Sequence, residues 1–331
     1  MAVIVGTGRH LPAAVLDNAE AARLAGVDED WIVRRTGIRE RRVADPDEGT
    51  AALATRAAER ALAAAGVTGA ELDLIVVATS TPDHLTPPTA CEVQPALAAF
   101  GAACFDVEAG FAGWLYALLL ADALITARRA RLALVIGAEK LSTVADRTDP
   151  ATGPLFGDGA GAVVLAAAGS SRDGQRALPL RVLSGTWWAD GRLAQALVRP
   201  GGGARRPFDE RVLAEREHLL RMEGTRLFRP AVRTMAAEAA RALERAGIGK
   251  DDIALVIPHQ ANLRIIEALG RELGVPRERI YVNIDRYGNT GAATVPIALD
   301  EAREAGRIAG GDRVLLVSFG AGATAGAALL G

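Results

Sequence analysis

Short apolar runs rich in β-branched residues alternate along the chain with longer stretches of Ala, Arg, Glu and Leu that have a helical period. The short runs are typical of buried strands, and the longer stretches are typical of helices that cover a sheet. This alternation predicts a layered α/β protein. The predicted strands are 74–77, 132–136, 162–165, 255–257 and 314–317, and the predicted helices are 51–65, 112–128, 231–246, 261–273 and 294–305.

An internal repeat relates a segment in the first half of the chain to one in the second half. Residues 60–76 contain Arg-Ala-Leu, Ala-Gly-Val and a buried strand, and residues 241–257 repeat these features in the same order and spacing. A second, shorter repeat pairs 131–135 with 313–317. A helix ended by glycine, a short acidic turn and a buried strand therefore occur twice, which predicts two similar halves. The predicted halves are residues 1–170 and 171–331.

Residues 183–222 interrupt the second half of the pattern. This stretch contains Trp187-Trp188, three glycines at 201–203 and Arg205-Arg206. It is typical of a connecting excursion, and two interpretations remain open: a lid over a binding site or a plain surface insertion.

Composition narrows the class of protein. The 331 residues are 50% hydrophobic and 24% charged, with a formal charge of −2, so bulk charge gives no reason to expect a nucleic-acid or anionic-membrane partner. The longest apolar stretch, 112–127, is broken by Asp122 and is shorter than the roughly 20 residues that cross a bilayer. Cys91 and Cys104 are the only cysteines, without metal-binding spacing. We expect a cytoplasmic protein with no metal and no membrane segment.

Three segments carry candidate chemistry, and they contain Phe111, His259 and Asn289. We expect each segment to follow a buried strand and to open toward a helix, where α/β proteins place reactive groups. Taken alone, His259 is also compatible with a hydrogen-bonded, partly buried histidine, and Asn289 with a turn asparagine. The segments are 105–113, 257–262 and 285–291.

Further motifs are Asp-Trp-Ile-Val at 30–33, Arg-Thr-Gly-Ile-Arg-Glu-Arg at 35–41, Phe-Gly-Asp-Gly-Ala-Gly-Ala at 156–162, Pro-His-Gln-Ala-Asn-Leu-Arg at 258–264 and Ser-Phe-Gly-Ala-Gly at 318–322. Together with the three segments, they resemble the β-ketoacyl-ACP synthase III family of the thiolase superfamily over nearly the whole chain. The resemblance implies a five-layered αβαβα fold and a homodimer. It also implies decarboxylative condensation of an acyl-CoA with malonyl-ACP in fatty-acid or polyketide synthesis, with no cofactor beyond these substrates.

The resemblance also assigns catalytic roles. His259 and Asn289 would donate to the thioester carbonyl of a malonyl group and stabilise the enolate formed when CO₂ leaves. The oxyanion hole for the acyl carbonyl would consist of backbone N–H groups at Phe111 and Ala321. Such backbone donors do not depend on the side chain at position 111.

Binding roles follow from the same resemblance. Trp31, Arg35 and Thr225 would contact CoA or the substrate, and Arg264 would contact acyl carrier protein at the channel mouth. A second interpretation of Trp31, as a simple surface anchor, remains open.

The family pattern fails at one position. The family's Ala-x-Cys-x-Gly segment appears here as Ala-Gly-Phe-Ala-Gly at 109–113, so Phe111 stands where the resemblance places a nucleophilic thiol. A phenyl ring cannot be acylated, which predicts that condensation through an acyl-cysteine is abolished. We expect Cys91 and Cys104 to be small buried residues that do not reach the same place.

Three explanations of Phe111 stay open. The residue is an introduced replacement in an ordinary synthase, or it is natural in a malonyl-thioester decarboxylase or a direct acyltransferase that uses His259 as a base. Alternatively, the chain is a non-catalytic subunit that partners an active homologue.

Overall fold

The structure is a computed structural model that describes residues 1–169 and 180–331. The predicted boundary between the halves, at 170 and 171, lies outside the described residues. The strands are β1 Ala2–His10, β2 Val15–Asp17, β3 Glu40–Arg42, β4 Leu74–Ala78, β5 Ala103–Val107, β6 Leu132–Lys140, β7 Asp158–Ala167, β8 Leu180–Trp188, β9 Leu197–Val198, β10 Arg221–Met222, β11 Ile253–Pro258, β12 Arg313–Gly320 and β13 Thr324–Leu330. The helices are α1 Asn18–Ala25, α2 Glu29–Thr36, α3 Thr50–Ala65, α4 Thr89–Ala96, α5 Gly113–Thr126, α6 Glu210–Ala214, α7 Gly224–Ala246, α8 Leu263–Leu273, α9 Ile284–Tyr287 and α10 Thr294–Glu304.

Nine strands form a ladder in the order β11-β12-β13-β8-β1-β7-β6-β4-β5. Among the described residues, its two parts are joined where Val3 and Ile4 of β1 pair with Arg181 and Leu180 of β8. One part therefore consists of strands from the first half of the chain, and the other part of strands from the second half.

Three apolar clusters arrange these parts in five layers. The middle cluster packs α5 and α10 between both parts of the ladder, so that Leu118 and Leu299 share a core with Val76 and Leu316. A second cluster covers the first part with α3 and α4, and a third covers the other part with α7 and α8. The order helix, sheet, helix, sheet, helix confirms the five-layered αβαβα prediction.

The internal repeat corresponds to equivalent elements. The helices α3 and α7 each end at a glycine with positive φ, 53° at Gly66 and 66° at Gly247. Each is followed by a short 3₁₀ turn and a buried strand, β4 or β11. These strands pair in parallel with β6 and β12, which contain the second, shorter repeat. The repeat in the sequence is therefore a repeat in the fold.

The predicted elements are all present, with one notable difference in extent. Helix α7 begins at Gly224 rather than at 231 and includes Pro230. Pro230 is the seventh residue of this helix and lacks an N–H, so one i→i−4 backbone hydrogen bond is missing there. Tertiary packing of α7 on β8 and β13 explains why the helix extends beyond its predicted start.

The predicted excursion over 183–222 is wrong at its beginning. Residues 183–188 belong to β8, where Trp187 pairs with Gly326 and Trp188 with Ala325. Aromatic and β-branched residues favour such a half-buried strand, a preference that outweighs the loop signals further along. The rest of the stretch does leave the sheet and contains α6 and the short β9–β10 ribbon.

Within residues 1–169 and 180–331, every helix is too short or too polar to span a membrane.

Candidate active site

A cavity of about 750 Å³ opens between the two halves of the chain. Phe111, His259 and Asn289 all line it, so the structure brings together the three residues that were predicted from separate segments. Trp31, Arg35, Thr225 and Arg264 line the same cavity. Its other walls are mainly apolar and include Phe156, Leu197, Met222, Leu227, Phe228, Met235 and Phe319.

Phe111 lies at the inner end of this cavity, just before α5. The preceding Gly110 has a φ of 52°, and a Cβ there would lie 2.5 Å from the amide nitrogen of Ala321. The Phe111 carbonyl accepts a 2.9 Å hydrogen bond from the hydroxyl of Ser318 in β12. Its side chain is only 6% exposed. The backbone at 111 is thus held by a sharp glycine turn and by the neighbouring strand.

The ring of Phe111 packs against two other rings. Its centroid lies 5.9 Å from that of Phe156 in an edge arrangement and 5.6 Å from that of His259. Such aromatic pairs stabilise a core beyond the area they bury. The side chain therefore occupies space directly beside the catalytic histidine candidate.

The backbone of Gly320 approaches position 111 closely. A Cβ at Gly320 would lie 2.3 Å from the amide nitrogen of Phe111, so only glycine fits. Gly320 lines the cavity, whereas Ala321 follows it in a 3₁₀ turn and is not among the lining residues of the described chain. The pair of oxyanion donors at Phe111 and Ala321 stays a prediction.

His259 follows the last residue of β11, and its backbone N–H donates to the Val317 carbonyl at 2.7 Å. The side chain is 2% exposed, and burial lowers its pKa to about 3. The imidazole is therefore neutral at ordinary pH. Its Nδ1 lies 2.6 Å from the Thr294 hydroxyl, which leaves Nε2 as the ring nitrogen available to a ligand.

Asn289 does not follow a buried strand, contrary to the prediction. It follows α9 and a glycine turn, because Ile280 makes only an isolated bridge to Val256 before the chain turns. The Asn289 Oδ1 accepts a 2.9 Å hydrogen bond from the Gly291 N–H. Only the oxygen of a carboxamide can accept from an N–H, so the NH₂ group is left to donate elsewhere.

The cavity mouth carries cationic and aromatic groups from three helices. The Arg35 guanidinium lies 5.1 Å from the Trp31 ring centre on α2, and that of Arg264 on α8 lies 6.0 Å from the ring centre of Phe228 on α7. Thr225 lies in the first turn of α7. The predicted binding residues thus share one entrance, with arginines exposed beside flat apolar surfaces.

Neither cysteine is fully buried, which corrects the prediction for both. Cys91 on α4 is exposed and Cys104 in β5 is partly buried, because both lie at the edge of the ladder that β5 forms. Burial raises the Cys104 pKa to about 11. As predicted, neither thiol is among the described residues that line the cavity.

Sequence reasoning missed Glu139, a fully buried carboxyl group beside the Asn289 loop. It accepts hydrogen bonds from the Ser80 and Thr81 hydroxyls and from the Ala292 N–H. Burial raises its pKa to about 7 in spite of these donors. The available signal was a charged residue at the end of the apolar run 132–138.

Polar clusters outside this cavity are weaker candidates for a functional site. A larger open groove of about 1130 Å³ has charged walls, but Arg9 there pairs with Asp300. Among the residues that the structure describes, no group of three His, Cys, Asp or Glu side chains could hold a metal ion.

Comparison with known proteins gives a consistent result. Residues 105–182 match the family described as 3-oxoacyl-[acyl-carrier-protein (ACP)] synthase III, and residues 243–331 match its C-terminal part. The chain is 45% identical to a β-ketoacyl-[acyl-carrier-protein] synthase III from Roseiflexus castenholzii over 98% of its own length and 96% of that protein.

Solved structures agree. A 3-oxoacyl-[acyl-carrier-protein] synthase III from Aquifex aeolicus is 42% identical and matches with a TM-score of 0.89, covering 100% of this chain and 99% of that one. The priming β-ketosynthase of the R1128 polyketide biosynthetic pathway is 35% identical with a TM-score of 0.88, covering 100% and 96%.

Proposed function

This chain belongs to the 3-oxoacyl-[acyl-carrier-protein] synthase III family, and we propose that it retains the decarboxylation half of a condensing reaction while lacking the acyl-holding half. The proposed substrate is a malonyl thioester on acyl carrier protein or CoA. The observation that carries the proposal is the placement of two neutral donors, His259 and Asn289, beside a phenylalanine in one cavity.

In the proposed reaction, the thioester carbonyl lies between the His259 Nε2 and the Asn289 NH₂ group. When CO₂ leaves, the electrons of the broken carbon–carbon bond move into the thioester and form an enolate. Two donors aimed at its oxygen stabilise this charge, and their effect is strong because the site is buried. A proton then adds to the carbon and gives the acetyl thioester.

Phe111 excludes an acyl-enzyme at its position. Its ring has no atom that can attack a thioester, and it fills the space beside His259. Condensation that requires transfer of an acyl group to residue 111 is therefore expected to be abolished. The backbone at 110 and 320 forms a tightly packed turn. The proposed loss of the acyl-holding step therefore comes from the side chain at 111 alone.

A direct acyltransferase that uses His259 as a base is the weaker alternative. A general base works best when its pKa lies near the operating pH. Burial lowers the pKa of His259 to about 3, which favours a hydrogen-bond donor over a proton acceptor.

The entrance supports binding of a long phosphorylated arm. Trp31 offers an aromatic face, and Arg35 and Arg264 offer exposed charges suited to phosphate or to an acidic carrier protein. Thr225 adds a hydroxyl at the same entrance.

We also propose a homodimer. β5 is an edge strand of the ladder, and Phe100, three residues before it, is 73% exposed. An open edge with exposed apolar side chains favours association. Light scattering should give twice the chain mass, and a monomer at micromolar concentration would contradict this part.

The experiment for the main proposal measures conversion of malonyl-ACP to acetyl-ACP by mass spectrometry. The unmodified protein should convert it, and His259→Ala and Asn289→Ala should each lower the rate by about 10²- to 10³-fold, as expected for loss of one preorganised donor. His218→Ala, at a histidine outside the cavity lining, is the matched control. No conversion by the unmodified protein would favour a non-catalytic subunit.

A further inference from the structure

Thr294 carries a buried hydroxyl that contacts Nδ1 of the catalytic histidine candidate and leaves its Nε2 available. It is 2% exposed and begins α10, the helix in the middle layer of the fold. Its Oγ1 lies 2.6 Å from His259 Nδ1 and 3.0 Å from the Gly291 carbonyl oxygen. A hydroxyl has one proton, so it donates to only one of these two acceptors at a time.

The direction of this one hydrogen bond fixes the tautomer of His259. If the hydroxyl donates to Nδ1, the single ring proton of the neutral imidazole resides on Nε2, which then faces the cavity as a donor. If it donates to the Gly291 carbonyl, Nδ1 carries the proton and Nε2 presents a lone pair. Only the first arrangement can polarise a thioester carbonyl.

We infer that Thr294 is the positioning residue that holds His259 in the Nε2–H form by donating to Nδ1. This inference rests on the proposed function for its catalytic meaning, but its structural content stands separately. One observation favours it. The Gly291 carbonyl already accepts the backbone N–H of Thr294. That carbonyl therefore stays satisfied when the hydroxyl turns to the imidazole.

The test uses Thr294→Val, which removes the hydroxyl and keeps the branched shape, and Thr294→Ser, which keeps the hydroxyl. Proton-coupled nitrogen NMR of the imidazoles reports the tautomer directly, and with four histidines in the chain the His259 signals can be assigned by their loss in His259→Ala. The unmodified protein and Thr294→Ser should show Nε2–H. Thr294→Val should show a mixture of tautomers.

Activity supplies the second measurement. In malonyl-ACP decarboxylation, Thr294→Val should lower kcat by about tenfold, the size expected for one buried hydrogen bond, with little change in KM. Thr294→Ser should stay near the unmodified rate. Thermal unfolding of both variants separates this effect from a loss of folding.

Three results would overturn the inference: an Nδ1–H tautomer in the unmodified protein, an unchanged Nε2–H tautomer in a folded Thr294→Val, or equal kcat losses in both variants. Absence of decarboxylation in the unmodified protein would contradict the proposed function, while the tautomer measurement would still decide the role of Thr294.

Discussion

The phenyl ring of Phe111 and the imidazole of His259 lie side by side at the inner end of one cavity, with their centroids 5.6 Å apart. The two residues come from different halves of the chain and from different strand ends. A group placed at position 111 is therefore within reach of whatever His259 binds. This relationship connects the first prediction to the proposed function.

Replacing Phe111 by cysteine should restore the condensation of acetyl-CoA with malonyl-ACP. A thiol at this position would stand at the helix start, which favours an activated nucleophile, and within reach of the group that His259 binds. The product is measured as acetoacetyl-ACP. Phe111→Ala is the matched control, because it removes the ring without adding a thiol and should give no condensation. Equal condensation by both variants would show that the nucleophile is not at 111.

The carboxyl group of Glu139 should make stability fall as pH rises. Its folded pKa of about 7 lies above the unfolded value of roughly 4.3, so the folded protein binds the extra proton in this window. Stability gained from this group is full at low pH and is lost as pH rises toward 7. In Glu139→Gln this contribution is absent, so the free energy of unfolding should lose a pH-dependent change of up to about 3 kcal/mol between pH 4.5 and 7. Chemical denaturation measures this change.

His259 has the opposite pH effect. Its folded pKa of about 3 lies below the unfolded value of roughly 6.5, so stability falls as pH drops through this range. For this reason the Glu139 measurement compares the variant with the unmodified protein at each pH. Parallel stability curves for the two proteins would contradict a raised pKa at Glu139.

Gly320 should tolerate no side chain. A Cβ there would meet the Phe111 amide nitrogen at 2.3 Å, so Gly320→Ala forces the two backbone segments apart and should destabilise the fold by about 1–3 kcal/mol or more. Gly191 is the control, since no atom lies within 4 Å of its added Cβ and φ is ordinary. Gly191→Ala should change the free energy of unfolding by less than about 0.5 kcal/mol. Similar losses in both variants would refute the close approach.

Much of this arrangement was predictable from the sequence, for local reasons. The repeat of a glycine-ended helix and a buried strand specifies two equivalent halves, since Gly66 and Gly247 are required by their positive φ. Phe111, His259 and Asn289 were identified because motifs of specific spacing surround them. The prediction of a strand before Asn289 was wrong. The apolar residues near Ile280 favour a strand, but in the structure they make only one isolated bridge.

Contacts between distant segments were not predictable. Glu139 and Thr294 stand far from Ser80 and His259 in sequence, and each meets its partner only after the layers pack. The position of β8 was missed for a related reason. Its pairing with β13 depends on a strand that lies more than 130 residues away, as in Trp187 with Gly326.

Arg264 should matter for the carrier protein and not for the small thioester. Arg264→Glu reverses an exposed charge at the cavity mouth, so kcat/KM for malonyl-ACP should fall by about tenfold while that for a malonyl-pantetheine substrate stays unchanged. The control is Arg271→Glu, an exposed arginine of the same helix outside the cavity lining. Equal losses for both substrates would place Arg264 in the pantetheine channel instead of at a carrier contact.

The most direct measurement incubates the unmodified protein with acetyl-CoA and malonyl-ACP and records the intact mass of the protein and the products together. The account predicts acetyl-ACP from decarboxylation, no acetoacetyl-ACP, and no acetyl adduct on the chain. An acetyl adduct on the chain, or formation of acetoacetyl-ACP by the protein, would contradict the claim that this site decarboxylates without holding an acyl group.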